Sequence, residues 1–328
     1  MARMKPELSS ARCIKKHECN PILSKKDVPF ASDLVFNAGV EKYKGKYYMI
    51  FRNDYIVDEK TKALKTNLGI AESDDGVSWK VRPNPFAVTF PDSNIQRFYD
   101  PRLTVIEDEL FICFAVDTPN GVRGGIGRIK GDFEDIEILS ISLPDNRNMV
   151  LFPEKIGGMY VRLERPFSSY CREKDSFDIW ISKSPDLKFW GESNLLLTVN
   201  DVAFANSKIG PAAPPIKTEK GWITTFHGVD IDETRGKNGW EERWQKRYTA
   251  GIMLLDLENP ERIKAISKEP FIAAELPYET EEGFRQNVIF PGGMIAEEDG
   301  TVKIYYGASD AVECLATAKL DDILELFE

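Results

Sequence analysis

Five times along this chain a turn leads into a strand of aromatic and β-branched residues, and a repeat of that kind restricts the fold more than any single motif. The strands are K-G-K-Y-Y-M-I-F-R (44–52), E-D-E-L-F-I-C-F-A-V-D (107–117), G-G-M-Y-V-R-L-E-R (157–165), K-G-W-I-T-T-F-H (220–227) and D-G-T-V-K-I-Y-Y-G (299–307). Their residue types suit a pleated, half-buried surface. A further strand precedes each, as in D-L-V-F-N-A-G-V-E-K-Y and Y-D-P-R-L-T-V-I, and a second hairpin pattern follows each. In S-D-D-G-V-S-W and S-P-D-L-K-F-W the Ser, Asp, Pro and Gly residues reverse the chain ahead of a Trp that can pack on the next sheet. Four antiparallel strands repeated five times predict an all-β fold, a five-bladed β-propeller.

The 328 residues then form one domain spanning 1–328. Residues 1–30 precede the first blade, running along its outside or supplying a strand that closes the ring, and residues 319–328 form a C-terminal tail with L-D-D-I-L-E-L-F as a helix candidate. A β-sandwich or two small β domains would need a dividing linker; the P-A-A-P-P run (211–215) lies inside a strand-turn pattern and reads as a local turn or edge. Two insertions, 168–176 and the charged 230–247, have the length of loops that serve function or assembly.

Composition excludes several functions. A net charge of −10 would repel a polyphosphate backbone, so no nucleic-acid partner is expected. No apolar run reaches the roughly 20 residues that span a bilayer, and the N-terminus lacks the apolar core of a signal peptide, so no membrane partner is expected and the chain reads as cytoplasmic. The five cysteines are scattered without a C-x-x-C pair and there are two histidines, which disfavours a disulfide framework and a metal site. The acidic surface, the N-terminal extension and the C-terminal helix are available for homo-oligomer contacts.

In a propeller blade the start of the innermost strand and the end of the next lie at the same end of the central channel. That geometry selects Asn37 and Arg52 from blade one, Asp100 and Asp117 from blade two, Arg147 and Arg165 from blade three, Lys208 and His227 from blade four, and Asn287 and Asp310 from blade five. Any one of these has the ordinary reading of a solvated strand end. Ten polar placements of the same kind point to a shared rim. The cations of blades three and four suit a tetrahedral oxyanion, and the mixed donors and acceptors of blades one, two and five suit sugar hydroxyls. Tyr99, Phe98 and nearby Trp side chains are candidates for an apolar platform under a pyranose ring.

Ordinary glycoside hydrolysis employs two carboxylates. Here Asp100 is the best-placed acid and its complement is cationic. If a bound phosphate is the nucleophile, no carboxylate base is needed, and one displacement from the far face inverts the anomeric configuration. Asp117 and Asp310 stay open as bases for a hydrolase, and a sugar-binding propeller without turnover would use the same rim for affinity.

The strings F-N-A-G-V with F-R-N-D, Y-D-P-R, N-R-N-M-V-L-F-P-E-K with R-L-E-R-P, K-I-G-P-A-A-P-P-I, G-W-I-T-T-F-H-G-V and I-Y-Y-G-A-S-D occur in order over roughly residues 20–320. Together they resemble glycoside hydrolase family 130, the β-mannoside phosphorylases. The resemblance implies a five-bladed β-propeller. It also implies Asp100 as a general acid that protonates the mannosyl 3-hydroxyl, which passes a proton to the glycosidic oxygen. Arg147, Arg165, Lys208 and His227 are then expected around phosphate, and Asn37, Arg52 and Asp310 around the mannosyl unit; the rim positions of Asp117 and Asn287 and the platform reading of Tyr99, apart from the resemblance, make these three further expected substrate contacts. The expected reaction is phosphorolysis of a β-mannoside, β-1,4-linked to glucose, N-acetylglucosamine or a manno-oligosaccharide, giving α-mannose 1-phosphate. Inorganic phosphate is the co-substrate and no cofactor or metal is expected. The family also holds inverting mannosidases that lack the basic phosphate ligands, which this chain retains.

Overall fold

The computed structural model describes residues 8–90, 92–167, 177–232, 234 and 246–328. The insertion at 168–176, and all of 230–247 except 230–232, 234, 246 and 247, lie outside the described residues. Five antiparallel sheets follow one another along the chain. Blade one comprises Leu34–Tyr43, Lys46–Asp58, Ala63–Ser73 and Lys80–Val81; blade two, Arg97–Ile106, Glu109–Thr118, Gly121–Lys130 and Asp135–Ile141. Blade three comprises Asn146–Leu151, Tyr160–Pro166, Ile179–Ser184 and Gly191–Leu197. In blade four the inner strand is broken: Lys208–Pro211 and Ile216–Thr218 both pair with Gly221–Ile231, which continues into Lys246–Leu255 and Ile263–Ile266. The P-A-A-P-P run makes that break, because proline has no N–H to give the ladder.

Blade five has Ile289–Ala296, Thr301–Ala308 and Val312–Lys319, and its fourth strand is Lys15–Lys16, paired through Lys15↔Thr317 and Lys16↔Ala316. The chain therefore closes the ring with its own N-terminal segment. The fifth hairpin pattern of the sequence resolves differently from the other four: C-L-A-T-A-K is a strand, and Leu320–Glu325 is a helix. No helix among the described residues is long and apolar enough to cross a membrane.

Every blade is apolar on both faces because it is sandwiched between two neighbours, and five hydrophobic clusters fill the five gaps. Ile50, Leu68 and Ile70 of blade one meet Leu103, Ile112 and Phe114 of blade two, and Val35, Met49 and Phe51 on the other face meet Ile295, Tyr305 and Leu315 of blade five. The turn chemistry read from sequence is present. Ser73 Oγ accepts from Gly76 N at 2.8 Å and Asp75 Oδ1 from Val77 N at 2.7 Å, after which Trp79 packs edge-on against Tyr305 of blade five. Ser184, Asp186 and Trp190 repeat the pattern in blade three, where the indole lies under Arg162.

The inner strands converge on a narrow channel, which explains two glycines. A Cβ on Gly292 would fall 1.8 Å from the Ala38 carbonyl oxygen, and one on Gly39 2.9 Å from the backbone of Arg102. Blades five, one and two thus approach backbone to backbone at the centre. Three inner strands also carry a β-bulge at the same depth, between Phe36 and Gly39, Tyr99 and Arg102, and Arg147 and Val150. The residue that begins each bulge is left-handed: Asn37 at φ 53°, Asp100 at φ 53° and Asn148 at φ 58°. Asn and Asp are the side-chain-bearing residues that enter this region most readily, so the bulges favour a short polar group.

Candidate active site

Those bulges swing Asn37, Asp100 and Asn148 into one cavity at the mouth of the channel. Its wall also contains Arg52, Arg147, Arg165, Lys208, His227, Tyr248, Arg285, Val288, Phe290 and Asp310. All four expected anion ligands, the expected acid, and Asn37, Arg52 and Asp310 are brought together. Tyr99, Asp117 and Asn287 are not part of the wall. The Tyr99 ring is buried between the Arg52 and Arg97 guanidinium groups, 5.2 and 4.2 Å from its centroid. Its hydroxyl donates to Asp117 Oδ1 at 2.8 Å, and Asp117 also pairs with Arg97 at 2.9 Å. Phe98 packs on Phe90 and Phe114 between blades one and two. Asn287 acts through its backbone, donating to the Glu279 carbonyl and accepting from Tyr248 N.

On one side of the cavity the charges are paired. Asp100 Oδ1 accepts from Asn37 Nδ2 at 3.1 Å and from Arg52 Nη1 at 3.4 Å. Arg52 is itself held bidentately by Asp54, with Nε to Oδ1 at 3.0 Å and Nη2 to Oδ2 at 2.6 Å. Arg285 donates to Asp310 Oδ2 at 2.8 Å. Burial pushes the Asp100 carboxyl up, but Arg52, Arg102, Arg147 and the Asn37 amide outweigh it and hold the group below its ordinary value. Asp310 goes the other way: burial and the neighbouring Asp100 raise it against Arg285 and Arg52. Two carboxyl groups in one cavity are thus driven apart by their surroundings, the usual sign of different roles.

On the other side cations crowd together. Arg147 and Arg165 stand directly opposite each other across two strands, a register in which like charges repel. Among the described residues no carboxylate pairs with Arg147, Arg165 or Lys208, and the Nε atoms of both arginines are buried without a partner. Arg165 Nη1 lies 2.9 Å from His227 Nε2. Because a guanidinium can only donate, that ring nitrogen is the acceptor and the imidazole is neutral with its proton on Nδ1. Burial, with Arg165 and Lys208 close by, likewise drives His227 well below its ordinary value. Burial, then Arg147, brings Arg165 down to about 9. Burial, then Arg165 and Arg147, brings Lys208 down to about 6.

The cavity wall therefore gathers cations that no carboxylate among the described residues neutralises, a setting that suits an anion. An anion bound beside Lys208 is expected to restore its charge, so between about 6 and its ordinary range that lysine should take up a proton as the anion enters. Sulfate, a dianion throughout the neutral range, isolates the effect from phosphate's own titration. Calorimetry in buffers of different ionisation enthalpy is expected to register uptake approaching one proton at about pH 8 and little at about pH 5. Lys208→Met should abolish it, and equal uptake at both pH values would contradict this assignment.

Asn148, Tyr248, Arg285, Val288 and Phe290 were not among the residues singled out from sequence. Asn148 has a readable signal, since F-N-A, Y-D-P and R-N-M align at the three bulges. Tyr248 has a raised hydroxyl pKa of about 12, chiefly from burial, and its ring lies under the Lys208 ammonium at 5.3 Å. Phe290 packs on the His227 imidazole, their ring centroids 4.6 Å apart.

Comparison with known proteins gives the family. A profile of glycoside hydrolase family 130, described as beta-1,4-mannooligosaccharide phosphorylase, matches residues 13–328. The chain is 31% identical over 322 residues to a beta-1,4-mannooligosaccharide phosphorylase of Ruminococcus albus, covering 94% of this chain and 89% of that protein. It is 33% identical over 260 residues to a beta-1,2-mannobiose phosphorylase of Listeria innocua, covering 79% and 68%. The solved structure of a Listeria innocua beta-1,2-mannobiose phosphorylase with beta-1,2-mannobiose superposes with a TM-score of 0.80 at 28% identity, covering 96% of this chain and 99% of that one. The chain belongs to glycoside hydrolase family 130, the mannoside phosphorylases, and is an enzyme.

Proposed function

We propose that this enzyme cleaves a β-1,4-linked mannoside with inorganic phosphate, inverting the anomeric centre to give α-mannose 1-phosphate, in the cytoplasm and without a further cofactor. The single observation that carries phosphorolysis is the cross-strand pair of half-buried Arg147 and buried Arg165, with no carboxylate partner among the described residues. A tetrahedral dianion offers both guanidinium groups acceptors and cancels their repulsion. Lys208 adds a point charge, and the His227 Nδ1 proton is free of any other acceptor among the described residues. Held there, phosphate is presented to the anomeric carbon as a nucleophile in place, which removes the need for a base.

Asn37, Arg52 and Asp310 hold the mannosyl unit, with Asn148 and Arg285 as additional polar contacts. Asp100 supplies the proton, by way of the 3-hydroxyl, to the departing oxygen. Before phosphate binds, Asp100 is ionised because Arg52, Arg102 and Arg147 stabilise its charge. Phosphate bound at Arg147 offsets part of that field and a sugar ring excludes water, both of which raise the carboxyl toward the protonated form that an acid catalyst requires. The order of events follows: the nucleophile prepares the acid.

The β-1,4 linkage draws on the description of the family profile and the Ruminococcus albus relative; relatives named for β-1,2 linkages are of similar identity. The test is turnover of β-1,4- and β-1,2-linked mannobiose and of mannosyl-glucose with and without phosphate, following sugar phosphate by phosphorus NMR. Phosphate-dependent release of an α-anomeric mannose 1-phosphate is expected, fastest with a β-1,4 substrate. Free mannose formed at the same rate without phosphate would replace this reading with hydrolysis.

A further inference from the structure

Behind the rim lies a buried carboxyl that the proposed chemistry does not use. Glu313 stands in the third strand of blade five, opposite Gly307, and has no solvent exposure. Its Oε1 accepts from Ala38 N at 2.7 Å, and Ala38 is the second residue of the bulge that aims Asn37 at Asp100. Two buried oxygens beside this contact have no partner among the described residues: Glu313 Oε2 and Asn37 Oδ1. They belong to side chains that share the space over Gly307, where a Cβ would fall 2.8 Å from Asn37 Oδ1 and 3.4 Å from Glu313 Oε1.

If Glu313 is ionised, both orphaned atoms are acceptors and neither can satisfy the other, an expensive arrangement away from water. One proton removes the conflict. We propose that Glu313 is a positioning residue in the neutral acid form: Oε1 holds the bulge backbone at Ala38, and a protonated Oε2 donates to Asn37 Oδ1. That bond fixes which end of the Asn37 amide faces Asp100. With the amide reversed, Oδ1 would oppose the Asp100 carboxylate, acceptor against acceptor; fixed, Nδ2 donates to it at 3.1 Å.

The surroundings agree. Burial raises the Glu313 carboxyl to about 8, opposed by the Ala38 N–H and by Arg102 on the inner strand of blade two. Arg102 is committed elsewhere, donating to the Ala212 and Pro101 carbonyls at 2.7 and 2.6 Å. On its own strand Glu313 is followed by Cys314, a buried thiol raised well above its ordinary range mainly by burial. The inference rests on the reading of Asp100 as the proton donor, because it explains how that carboxyl is held.

Infrared difference spectra between the wild type and Glu313→Gln test the protonation state independently of turnover. A protonated-carboxyl C=O band is expected at neutral pH, present in the wild type, absent in the variant, and lost as pH rises through about 8. An ionised carboxylate signal at neutral pH would overturn the proposal. Kinetics test the positioning role. Glu313→Gln retains an acceptor for Ala38 N and a donor for Asn37, so kcat should stay near wild type while its decline above about pH 8 shifts or disappears. Glu313→Met fills the space without a donor, and kcat should fall about 5-fold or more with the KM for phosphate unchanged. A Glu313→Gln profile that overlays the wild type, or an unimpaired Glu313→Met, would leave Glu313 as packing only. Absence of any phosphate-dependent turnover in the wild type would instead remove the reading of Asp100, while the infrared band still decides the state of Glu313.

Discussion

Asp100→Asn is expected to lower kcat by about 10²- to 10⁴-fold, the usual contribution of a positioned acid, while phosphate still binds. The substitution keeps the size of the side chain and an oxygen that can accept from Asn37 Nδ2, so the bulge at φ 53°, which Asn tolerates as well as Asp, has no reason to change. What disappears is the proton. The carboxyl charge disappears as well, and it is an anion close to Arg147; phosphate affinity should therefore hold or increase slightly. Steady-state kinetics with calorimetric titration of phosphate checks both halves. A variant with near wild-type kcat would remove Asp100 from the chemistry, and one that turns over slowly only because phosphate no longer binds would reassign it to anion affinity.

Arg147→Gln should move function and stability in opposite directions. Losing a charge-assisted hydrogen bond to phosphate costs about 1.5–3 kcal/mol, a rise in the KM for phosphate of roughly 10- to 100-fold. The same change removes one of two like charges set opposite each other, a repulsion of about 0.2–1 kcal/mol, so in phosphate-free buffer the melting temperature should rise slightly. Added phosphate should then stabilise the wild type by mass action and the variant far less. Thermal melts across a phosphate series read out the comparison directly. If phosphate raises both midpoints equally, Arg147 does not hold it. Arg165→Gln should show the same pattern with more damage to the fold, since Arg165 is buried, stacks on Phe167 and Phe177, and donates to His227.

Much of the site was legible from the repeat because a propeller converts sequence position within a blade into position on a rim. Asn37, Arg52, Asp100, Arg147, Arg165, Lys208, His227 and Asp310 meet for that reason. The repeat fails where a bulge interrupts strand alternation. In blade two the shift after Tyr99 turns Asp100 toward the channel and leaves Tyr99 between blades; Asp117, opposite Arg97, is drawn into an ion pair instead. In blade three the bulge adds Asn148 to the neighbouring Arg147. Arg285 and Tyr248 were not legible, since nothing in F-R-Q-N or K-R-Y distinguishes the side chain that faces inward. Their choice depends on how blade four and blade five meet.

From sequence alone come the five blades, the turn chemistry between their strands and a polar rim, because each follows from local periodicity and short-range hydrogen bonding. Tertiary structure alone decides the rest. It decides that Lys15–Lys16 completes the last blade, since that pairing joins residues nearly a full chain apart. It decides that Arg147 and Arg165 lie opposite each other without a carboxylate between them among the described residues, while Arg52 and Arg285 are neutralised by Asp54 and Asp310. Charge composition is a property of the chain; whether a given cation is already paired depends on register and burial, and that difference is what leaves a place for an anion.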